Sequence, residues 1–205
     1  PANTVRIFNE LEVDELIVLD IGASKKGERI NIKVLQDIAN ECFMPLGYGG
    51  GIKSLDDAKA VFDIGFEKVA VNSAASENNI IEKISSHYGS QAVIASIDVK
   101  KNFWGRNTVR TFGGTRNTNK DPVEWAKELE SRGCGEILLT SIDREGSWEG
   151  FDMPLIKKVV NSVDIPVIAH GGAGTVDHVQ QVLKTANVSA VAIGSMVIFQ
   201  KKDMG

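Results

Sequence analysis

Cysteine is scarce in this chain of 205 residues, because only Cys42 and Cys134 are present and they have no metal-like spacing. The sequence therefore predicts neither a disulfide framework nor a zinc site, and both cysteines are expected to be buried, reduced thiols. No P-loop and no Ser-His-Asp arrangement is recognisable either. We therefore expect no metal and no cofactor.

Long hydrophobic runs are also missing. No apolar segment approaches the roughly 20 residues that a membrane helix needs, and no signal peptide is visible. The net charge of −4 argues against a general nucleic-acid binder. The composition, 42% hydrophobic and 24% charged, is that of a globular protein with a sizeable core, for which one domain is the default. These features predict a cytoplasmic protein with neither a membrane nor a nucleic acid as partner.

Glycine, by contrast, is concentrated in two tracts, 49–51 and 171–174, each at the end of a predicted strand. A helix-like segment follows each tract, and then a second strand that ends in Asn72-Ser73 or Gly194-Ser195. Glycine lets a backbone approach a ligand closely, and free N–H groups at a helix start favour anions. One tract alone is weak evidence, since glycine also serves tight turns. The repeated pair predicts a substrate with two phosphates.

Short β-branched runs alternate with amphipathic segments, which predicts a parallel sheet of right-handed βαβ units. The pattern repeats, because 45–51 aligns with 166–172 at an offset of 121 residues (166 − 45). Two homologous halves, approximately 1–88 and 89–205, favour an α/β fold of the single-domain (β/α)8 TIM barrel type over an open sheet. The polar stretch 100–120 predicts a hairpin or an ordered active-site loop. Seven strands are expected, at 15–20, 46–48, 69–72, 91–98, 136–141, 167–170 and 190–194.

Seven strands are one fewer than such a barrel contains. The strand at 91–98 has no counterpart in the first half, where 2–11 has the pattern of the helix that would follow it. No final helix is expected after 190–194. The sequence thus predicts a barrel that lacks its first strand and its last helix, as if truncated at both ends.

Active sites of these barrels lie at the carboxyl ends of the strands. Asp98 ends a long apolar strand, where partial desolvation would raise the pKa of its carboxyl group toward a catalytically useful value. A carboxylate that caps the next loop is an equally weighted alternative. A lone histidine such as His170 is more often structural than catalytic, and Glu145 taken alone fits a solvated turn. The other polar residues expected at these ends are Asp20, Asn72, Ser73, Thr140, Ser141, Asp143 and Ser195.

Three charged residues, Glu15, Lys68 and Glu136, begin predicted strands and would ring the opposite, N-terminal face. The logic of the fold favours a stabilising ion-pair layer at that face.

Several segments carry a resemblance: ELIVLDIGAS at 15–24, GGGI at 49–52, KVAVNSAA at 68–75, GSQAV at 89–93, ASID at 95–98, GEILLTSIDR at 135–144 and GGAG at 171–174. In combination they resemble the cyclase subunit of imidazole glycerol phosphate synthase, over essentially the whole chain. The resemblance implies a barrel that takes ammonia from a partner glutaminase. That barrel converts phosphoribulosyl-formimino aminoimidazole carboxamide ribotide to imidazole glycerol phosphate and aminoimidazole carboxamide ribotide.

The resemblance also implies two catalytic aspartates, at the ends of the first and fifth strands. Asp98 matches the second, whereas the first would lie on the missing strand, so the chain as given is expected to be inactive. The remaining matches are Gly51, Asn72 and Ser73 at one phosphate, Gly172, Gly194 and Ser195 at the other, Asp20, Thr140, Ser141 and Asp143 in the pocket, and Glu15, Lys68 and Glu136 where ammonia enters beside the docked glutaminase.

The chain departs from the family pattern at Glu145, where Asp is usual, at His170, where Ser is usual, and at Tyr48, where a small or β-branched residue is usual. The stretch 100–120, with Phe103-Trp104, is unlike the expected shorter form. We expect these larger side chains to crowd the pocket mouth. They fit a divergent paralogue that delivers ammonia to a sugar nucleotide in surface-polysaccharide synthesis.

Two further alternatives remain. The sister isomerase of the same pathway also has two phosphate sites, although the segments ASID and SIDR favour the cyclase. A non-enzymatic scaffold that binds a glutaminase is the other alternative.

Overall fold

One curled sheet organises the protein in a computed structural model that describes residues 2–26 and 29–198. Within those residues its strands are β1 (Leu16–Leu19), β2 (Leu46–Gly49), β3 (Lys68–Val71), β4 (Val93–Lys101), β5 (Asn107–Thr111), β6 (Arg116–Asn117), β7 (Glu136–Ser141), β8 (Val167–His170) and β9 (Ala190–Ala192).

Seven of these strands are parallel and lie side by side in chain order, β1-β2-β3-β4-β7-β8-β9. The other two form a hairpin that continues from the far end of β4 by antiparallel pairing. Parallel neighbours need crossover connections, and helices supply them. The predicted α/β fold of the TIM-barrel type is confirmed, and so is the hairpin within 100–120.

The helices of the described residues are α1 (Ala2–Glu10), α2 (Ile21–Lys26), α3 (Ile32–Glu41), α4 (Leu55–Phe62), α5 (Ser73–Glu77), α6 (Ile80–Tyr88), α7 (Pro122–Ser131), α8 (Met153–Val160), α9 (Val176–Ala186) and α10 (Ser195–Ile198), with a 3-10 turn at Ser90–Ala92. None of them has the length and hydropathy of a membrane span.

Local sequence signals explain where several helices begin. The Ser54 hydroxyl accepts from the Asp57 N–H, and the Asp57 carboxylate accepts from the Ser54 N–H, which is a complete capping box. Asp121 caps α7 and Pro122 occupies its first turn, as predicted. The sequence did not predict α2 or α5, since helices of six and five residues are too short for a periodicity to be recognised.

The inner face of the sheet has three layers, because every second side chain of a strand points inward. Charged residues begin the strands at the bottom. A small apolar cluster fills the middle, formed by Ala70, Ile94, Leu138 and Ile168 with Ile17 and Ala192 packed on it. Two residues further along these strands lie Asn72, Ser96, Thr140 and His170, so the top layer is polar. A larger apolar core fills the space between the sheet and the helices.

The offset of 121 residues recurs in the backbone. Strands β2 and β8 begin and end at positions related by it. The N-caps of α4 and α9, Ser54 and Thr175, are related by it as well, and each side chain accepts the N–H three residues on. After each strand a glycine pair has positive φ: 139° and 68° at 50–51, and 92° and 108° at 171–172.

Strands β1 and β9 are the two ends of the described strand order. The turn of helix α10 follows β9. The prediction that no final helix follows the last strand also concerns residues 199–205, which lie outside the described residues. Both cysteines are free thiols; Cys134 is buried, which raises its pKa to about 12, whereas Cys42 is only partly buried.

Candidate functional site

A cavity of about 480 Å³ opens at the carboxyl ends of the strands. Its polar wall is the top layer of the sheet interior, and Asp98 projects into it two residues beyond Ser96. The first glycine tract, the start of α5 and the hairpin residues Phe112-Gly113 complete the wall. The cavity therefore lies where the fold predicts an active site.

Asp98 is one of four carboxyl groups among the described residues that line this cavity, and its pKa is clearly shifted. Burial raises the pKa of its carboxyl group from the usual 3.8 to about 6, and the hydroxyl groups of Ser96 and Thr140 offset part of that effect. A carboxyl group that titrates so close to neutral pH can accept a proton and return it. This geometry favours the acid–base role over the loop-capping alternative.

Asn72 and Ser73 adjoin the first glycine tract and line the cavity with Gly51. The Asn72 amide donates to the Ser96 carbonyl oxygen at 3.0 Å, which fixes its orientation. The Ser73 hydroxyl donates to the Asn72 side-chain oxygen at 3.3 Å and accepts from the Phe112 N–H at 2.9 Å. An oriented amide, a hydroxyl group and glycine backbone make a small polar cradle that an anion can enter.

The second predicted phosphate site is arranged differently. Among the described residues that line the cavity, none belongs to the set Gly172, Gly194 and Ser195. The loop after β7 contacts two members of this set: the Gly150 N–H donates to the Gly172 carbonyl oxygen at 2.8 Å, and the Trp148 indole N–H donates to the Ser195 hydroxyl at 3.2 Å. The two predicted sites are thus not equally open.

Thr140 and His170 lie side by side in the cavity wall, with the Thr140 Oγ1 3.1 Å from the His170 Nδ1. The other ring nitrogen, Nε2, lies 3.4 Å from the Glu145 carboxylate. Burial lowers the pKa of His170, and the charge of Glu145 offsets part of that effect. His170 is therefore largely neutral at neutral pH.

Three other predicted pocket residues have structural partners. The Asp20 carboxylate accepts from the N–H groups of Gly22 and Ala23, so it caps α2 while it also lines the cavity. Ser141 is buried, and its carbonyl oxygen accepts from the two N–H groups at 144 and 145. The Asp143 carboxylate accepts from the Lys101 N–H at 2.8 Å and so holds the hairpin. Ser141 and Asp143 are not among the described residues that line the cavity.

The expected crowding of the mouth applies to only part of the set. Tyr48 is 1% exposed and packs edge-on against Phe66 in the core between the sheet and the helices. Its side chain points away from the barrel interior, because the residues on either side, Gly47 and Gly49, face inward. Phe103 and Trp104 are 94% and 82% exposed at the tip of the hairpin. Glu145, His170 and, from the stretch 100–120, Phe112 line the cavity and can crowd it.

The bottom layer contains the predicted charged residues in direct contact. The Lys68 ammonium group donates to Glu15 and to Glu136, each at 2.8 Å. Burial lowers the pKa of Lys68, but the hydrogen bonds to Glu136 and Glu15 outweigh it and raise the pKa. The second Glu15 oxygen, Oε1, is buried and has no hydrogen-bond partner within the described part of the chain.

Sequence reasoning missed several contributors to the cavity, among them Ser96 and Phe112. Ser96 precedes Asp98 by two residues, so the alternation of the strand could have placed both on one face. Phe112 had no comparable signal, because its position depends on how the hairpin folds back onto Ser73. Across 2–26 and 29–198, no group of three or more His, Cys, Asp or Glu side chains could hold a metal ion.

Comparison with known proteins identifies the family of the chain. The family described as "Histidine biosynthesis protein" matches residues 1–203. The chain is 47% identical to "Putative imidazole glycerol phosphate synthase subunit hisF2" of Pseudomonas aeruginosa, over 98% of this chain and 81% of that protein. It is 43% identical to "Imidazole glycerol phosphate synthase subunit HisF" of Sulfurisphaera tokodaii, over 94% of this chain and 77% of that protein. The chain therefore belongs to the histidine biosynthesis protein family, whose fold is the (β/α)8 barrel.

Proposed function

We propose that this protein is the cyclase subunit of an imidazole glycerol phosphate synthase. In that role it would use ammonia to convert phosphoribulosyl-formimino aminoimidazole carboxamide ribotide to imidazole glycerol phosphate and aminoimidazole carboxamide ribotide. The observation that carries the proposal is Asp98, a partly buried carboxyl group with a pKa of about 6 in the same cavity as the Gly51–Ser73 cradle. The names of the relatives from Sulfurisphaera tokodaii and Saccharolobus solfataricus point to the same reaction.

In this proposal the polar groups divide the work between binding and proton transfer. The cradle of Gly51, Asn72 and Ser73 binds one phosphate of the ribotide and so fixes the substrate relative to Asp98. Asp98 then accepts and returns protons as ammonia is incorporated and the ring closes, at a pH near its pKa. Catalysis by a positioned acid–base group typically contributes 10²- to 10⁴-fold in rate.

The bottom layer supports a glutaminase partner. Lys68, Glu15 and Glu136 line the inner face at the end of the barrel opposite the cavity, and the apolar layer above them includes the small residues Ala70 and Ala192. A polar ring below small apolar side chains is a suitable entrance for ammonia from a docked glutaminase. We expect Lys68→Met to reduce glutamine-dependent turnover of the complex more than turnover with ammonium salt. An equal loss with both ammonia sources would contradict this role.

The recurrence of the 121-residue offset supports a duplicated half-barrel as the origin of the two glycine tracts. The halves would be approximately 1–88 and 89–205 within one domain. A cytoplasmic location fits the proposed pathway.

A second candidate function is the delivery of ammonia to a sugar nucleotide in surface-polysaccharide synthesis. The observation that favours it is the cover over Gly172 and Ser195, since a cavity with one open cradle fits a ligand other than a doubly phosphorylated ribotide. The numbered names of the Pseudomonas aeruginosa and Vibrio vulnificus relatives, hisF2 and hisF3, leave room for such a paralogue.

The experiment that tests the first function is turnover of the ribotide by the full-length protein with ammonium salt. Asp98→Asn should lower kcat by at least 10²-fold and leave the fold unchanged. Asp63→Asn, at an exposed carboxylate that pairs with Lys59, is the matched control and should be fully active. Normal turnover by Asp98→Asn would exclude the assigned role. Ammonia transfer to a nucleotide sugar, without turnover of the ribotide, would establish the second function instead.

A further inference from the structure

The register of three neighbouring strands places Asp98, Thr140 and His170 in one row. Asp98 on β4 is the register partner of Thr140 on β7, and Thr140 is the register partner of His170 on β8. All three side chains line the cavity, so they point to the same face. Neighbouring strands lie about 4.8 Å apart, which lets adjacent polar side chains in such a row interact directly. Glu145 stands at the far end of the row, beside His170.

The row contains one hydroxyl proton that two neighbours can accept. Thr140 Oγ1 lies 3.1 Å from the His170 Nδ1, and on its other side Asp98 is its register partner, with both side chains in the same cavity wall. A hydroxyl group has a single proton, so it donates to either the imidazole or the carboxylate. The protonation of His170 decides between these two acceptors.

Neutral His170 has one N–H group, and the Glu145 carboxylate 3.4 Å from Nε2 favours that nitrogen as its position. Nδ1 is then an acceptor, and the Thr140 hydroxyl donates to it. Protonated His170 has an N–H group at Nδ1 as well, which donates to Thr140 Oγ1. The hydroxyl proton is then free to donate to Asp98.

We propose that His170 is a positioning residue that controls Asp98 through the Thr140 hydroxyl: neutral His170 withholds the hydroxyl proton from the Asp98 carboxylate, and protonated His170 supplies it. The inference depends on the proposed function only for the catalytic consequence, because the link between the side chains exists without substrate. This role needs the imidazole of His170 and the carboxylate of Glu145 together.

The link predicts the direction in which protonation of His170 changes the pKa of Asp98. A hydrogen bond donated to a carboxylate stabilises its charged form, so protonation of His170 lowers the pKa of Asp98 and loss of that proton raises it. The titratable side chains around His170 are Glu145 at Nε2 and Asp98 across Thr140, and the other charged groups of the cavity wall are Asp20, Lys53 and Glu77. Protonated His170 also attracts the charged Asp98 carboxylate directly through space. That attraction lowers the pKa of Asp98, as the hydrogen bond from Thr140 does. The test must therefore separate attraction through space from donation by Thr140.

A double-mutant cycle achieves this separation, with the pKa of Asp98 measured by carboxyl-carbon NMR of the substrate-free full-length protein. His170→Asn removes the ring that can be protonated and should raise the pKa of Asp98 by about half a pH unit, a roughly threefold change in proton affinity. The same substitution should have less than half that effect in a Thr140→Val background, because the donor is gone. Thr140→Ser keeps the hydroxyl group and should restore the full effect.

An equal effect of His170→Asn in all three backgrounds would overturn the inference, because direct attraction does not need the hydroxyl group. Should Thr140→Val fail to fold, Thr140→Ala provides the same arm of the cycle. In an active preparation, the acidic limb of the pH profile of kcat should move with the NMR pKa of Asp98. If the NMR link is present but Asp98→Asn turns over normally, the proposed function fails and the link stands; the reverse result rejects the link alone.

Discussion

The two glycine tracts have nearly the same backbone and opposite surroundings. In each half a serine at the end of the following strand receives an N–H from an aromatic residue with positive φ: Phe112, with φ of 53°, donates its backbone N–H to Ser73, and Trp148, with φ of 61°, donates its indole N–H to Ser195. Left-handed conformations are unusual for such side chains, so each loop is held in place by its contacts. The same arrangement of an aromatic N–H and a serine hydroxyl is nevertheless found at one tract that is open to the cavity and at one that is not.

The difference lies in whether the cavity also reaches the glycines, because the chain itself approaches both tracts. A methyl group added at Gly174 would lie 2.5 Å from Trp148, and one added at Gly171 would lie 2.6 Å from the Ser141 carbonyl oxygen. The chain comes just as close to the first tract, where a methyl group added at Gly50 would lie 2.7 Å from the Asp20 side chain. At the first tract the cavity reaches Gly49–Gly51. A glycine-rich strand end is therefore evidence of close approach, and only the structure tells whether a ligand or the protein makes that approach.

Gly172→Ala should show the packed nature of the second tract most strongly. Gly172 has φ of 108°, and a methyl group there would collide with the Gly150 carbonyl oxygen. Backbone strain and this collision should together reduce the free energy of unfolding by about 3 kcal/mol or more. Urea unfolding measures the loss. Gly146→Ala is the control, with positive φ but no atom within 4 Å of the added carbon, and should lose about 1 kcal/mol. Equal losses would mean that packing of the loop is unimportant.

Asp98→Asn should have the next largest effect, and it should stabilise the protein. The pKa of Asp98 is about 6 in the folded state and 3.8 in an ordinary environment, so the folded state binds this proton more tightly. Its contribution to stability is present at pH 4 and is lost as the pH rises through 6. Replacement by Asn should therefore raise the free energy of unfolding by about 2 kcal/mol at pH 8, and hardly at pH 4.

Unfolding of Asp98→Asn at the two pH values measures this effect, with the exposed Asp63→Asn as the control. A gain that is independent of pH would show that Asp98 is not held in an unfavourable state. Ionised Asp98 would then not reduce the stability of the open half of the site, and this difference from the covered half would disappear.

The order of the elements and the place of Asp98 could be predicted from the sequence, whereas the cover over the second tract could not. The order of the elements could be predicted from three signals: the alternation of strands and helices, the 121-residue repeat, and the capping residues Ser54 and Asp121. Each of these signals is either local in the sequence or repeats along it. Asp98 could be predicted for the same reason, as the polar end of an apolar strand. The cover by Trp148 could not, since it depends on a loop crossing to a helix start 47 residues away.

Tyr48 shows a second limit. It lies directly beside the first glycine tract in the sequence, which suggested a place at the mouth of the pocket. The alternation of β2 instead turns it toward the helices, where burial and the nearby Asp20 raise the pKa of its hydroxyl group to about 12. A one-residue difference in position along a strand reverses the face, and neighbouring glycines give no pattern from which to assign it.

Ser73→Ala and Ser195→Ala compare the two cradles directly. The Ser73 hydroxyl lies in the cavity wall and can bind an anion, so its loss should weaken binding of inorganic phosphate about tenfold. Ser195 is not among the described residues that line the cavity, and its loss should change the affinity less than twofold. Calorimetric titration with phosphate measures both. A larger effect of Ser195→Ala would show that the cover opens readily and that the comparison describes only one state.

Trp148→Ala should have the smallest effect and the most specific one. Removing the indole frees the Ser195 hydroxyl, so a ligand with two phosphates can engage both tracts. We expect the affinity for the doubly phosphorylated ribotide to rise about threefold, and Ser195→Ala to become costly only in the Trp148→Ala background. Trp104→Ala, at the exposed hairpin tip, is the matched control and should change neither quantity. A loss of affinity in Trp148→Ala would instead mean that the indole contacts the ligand, which would favour an aromatic or nucleotide group at the second tract.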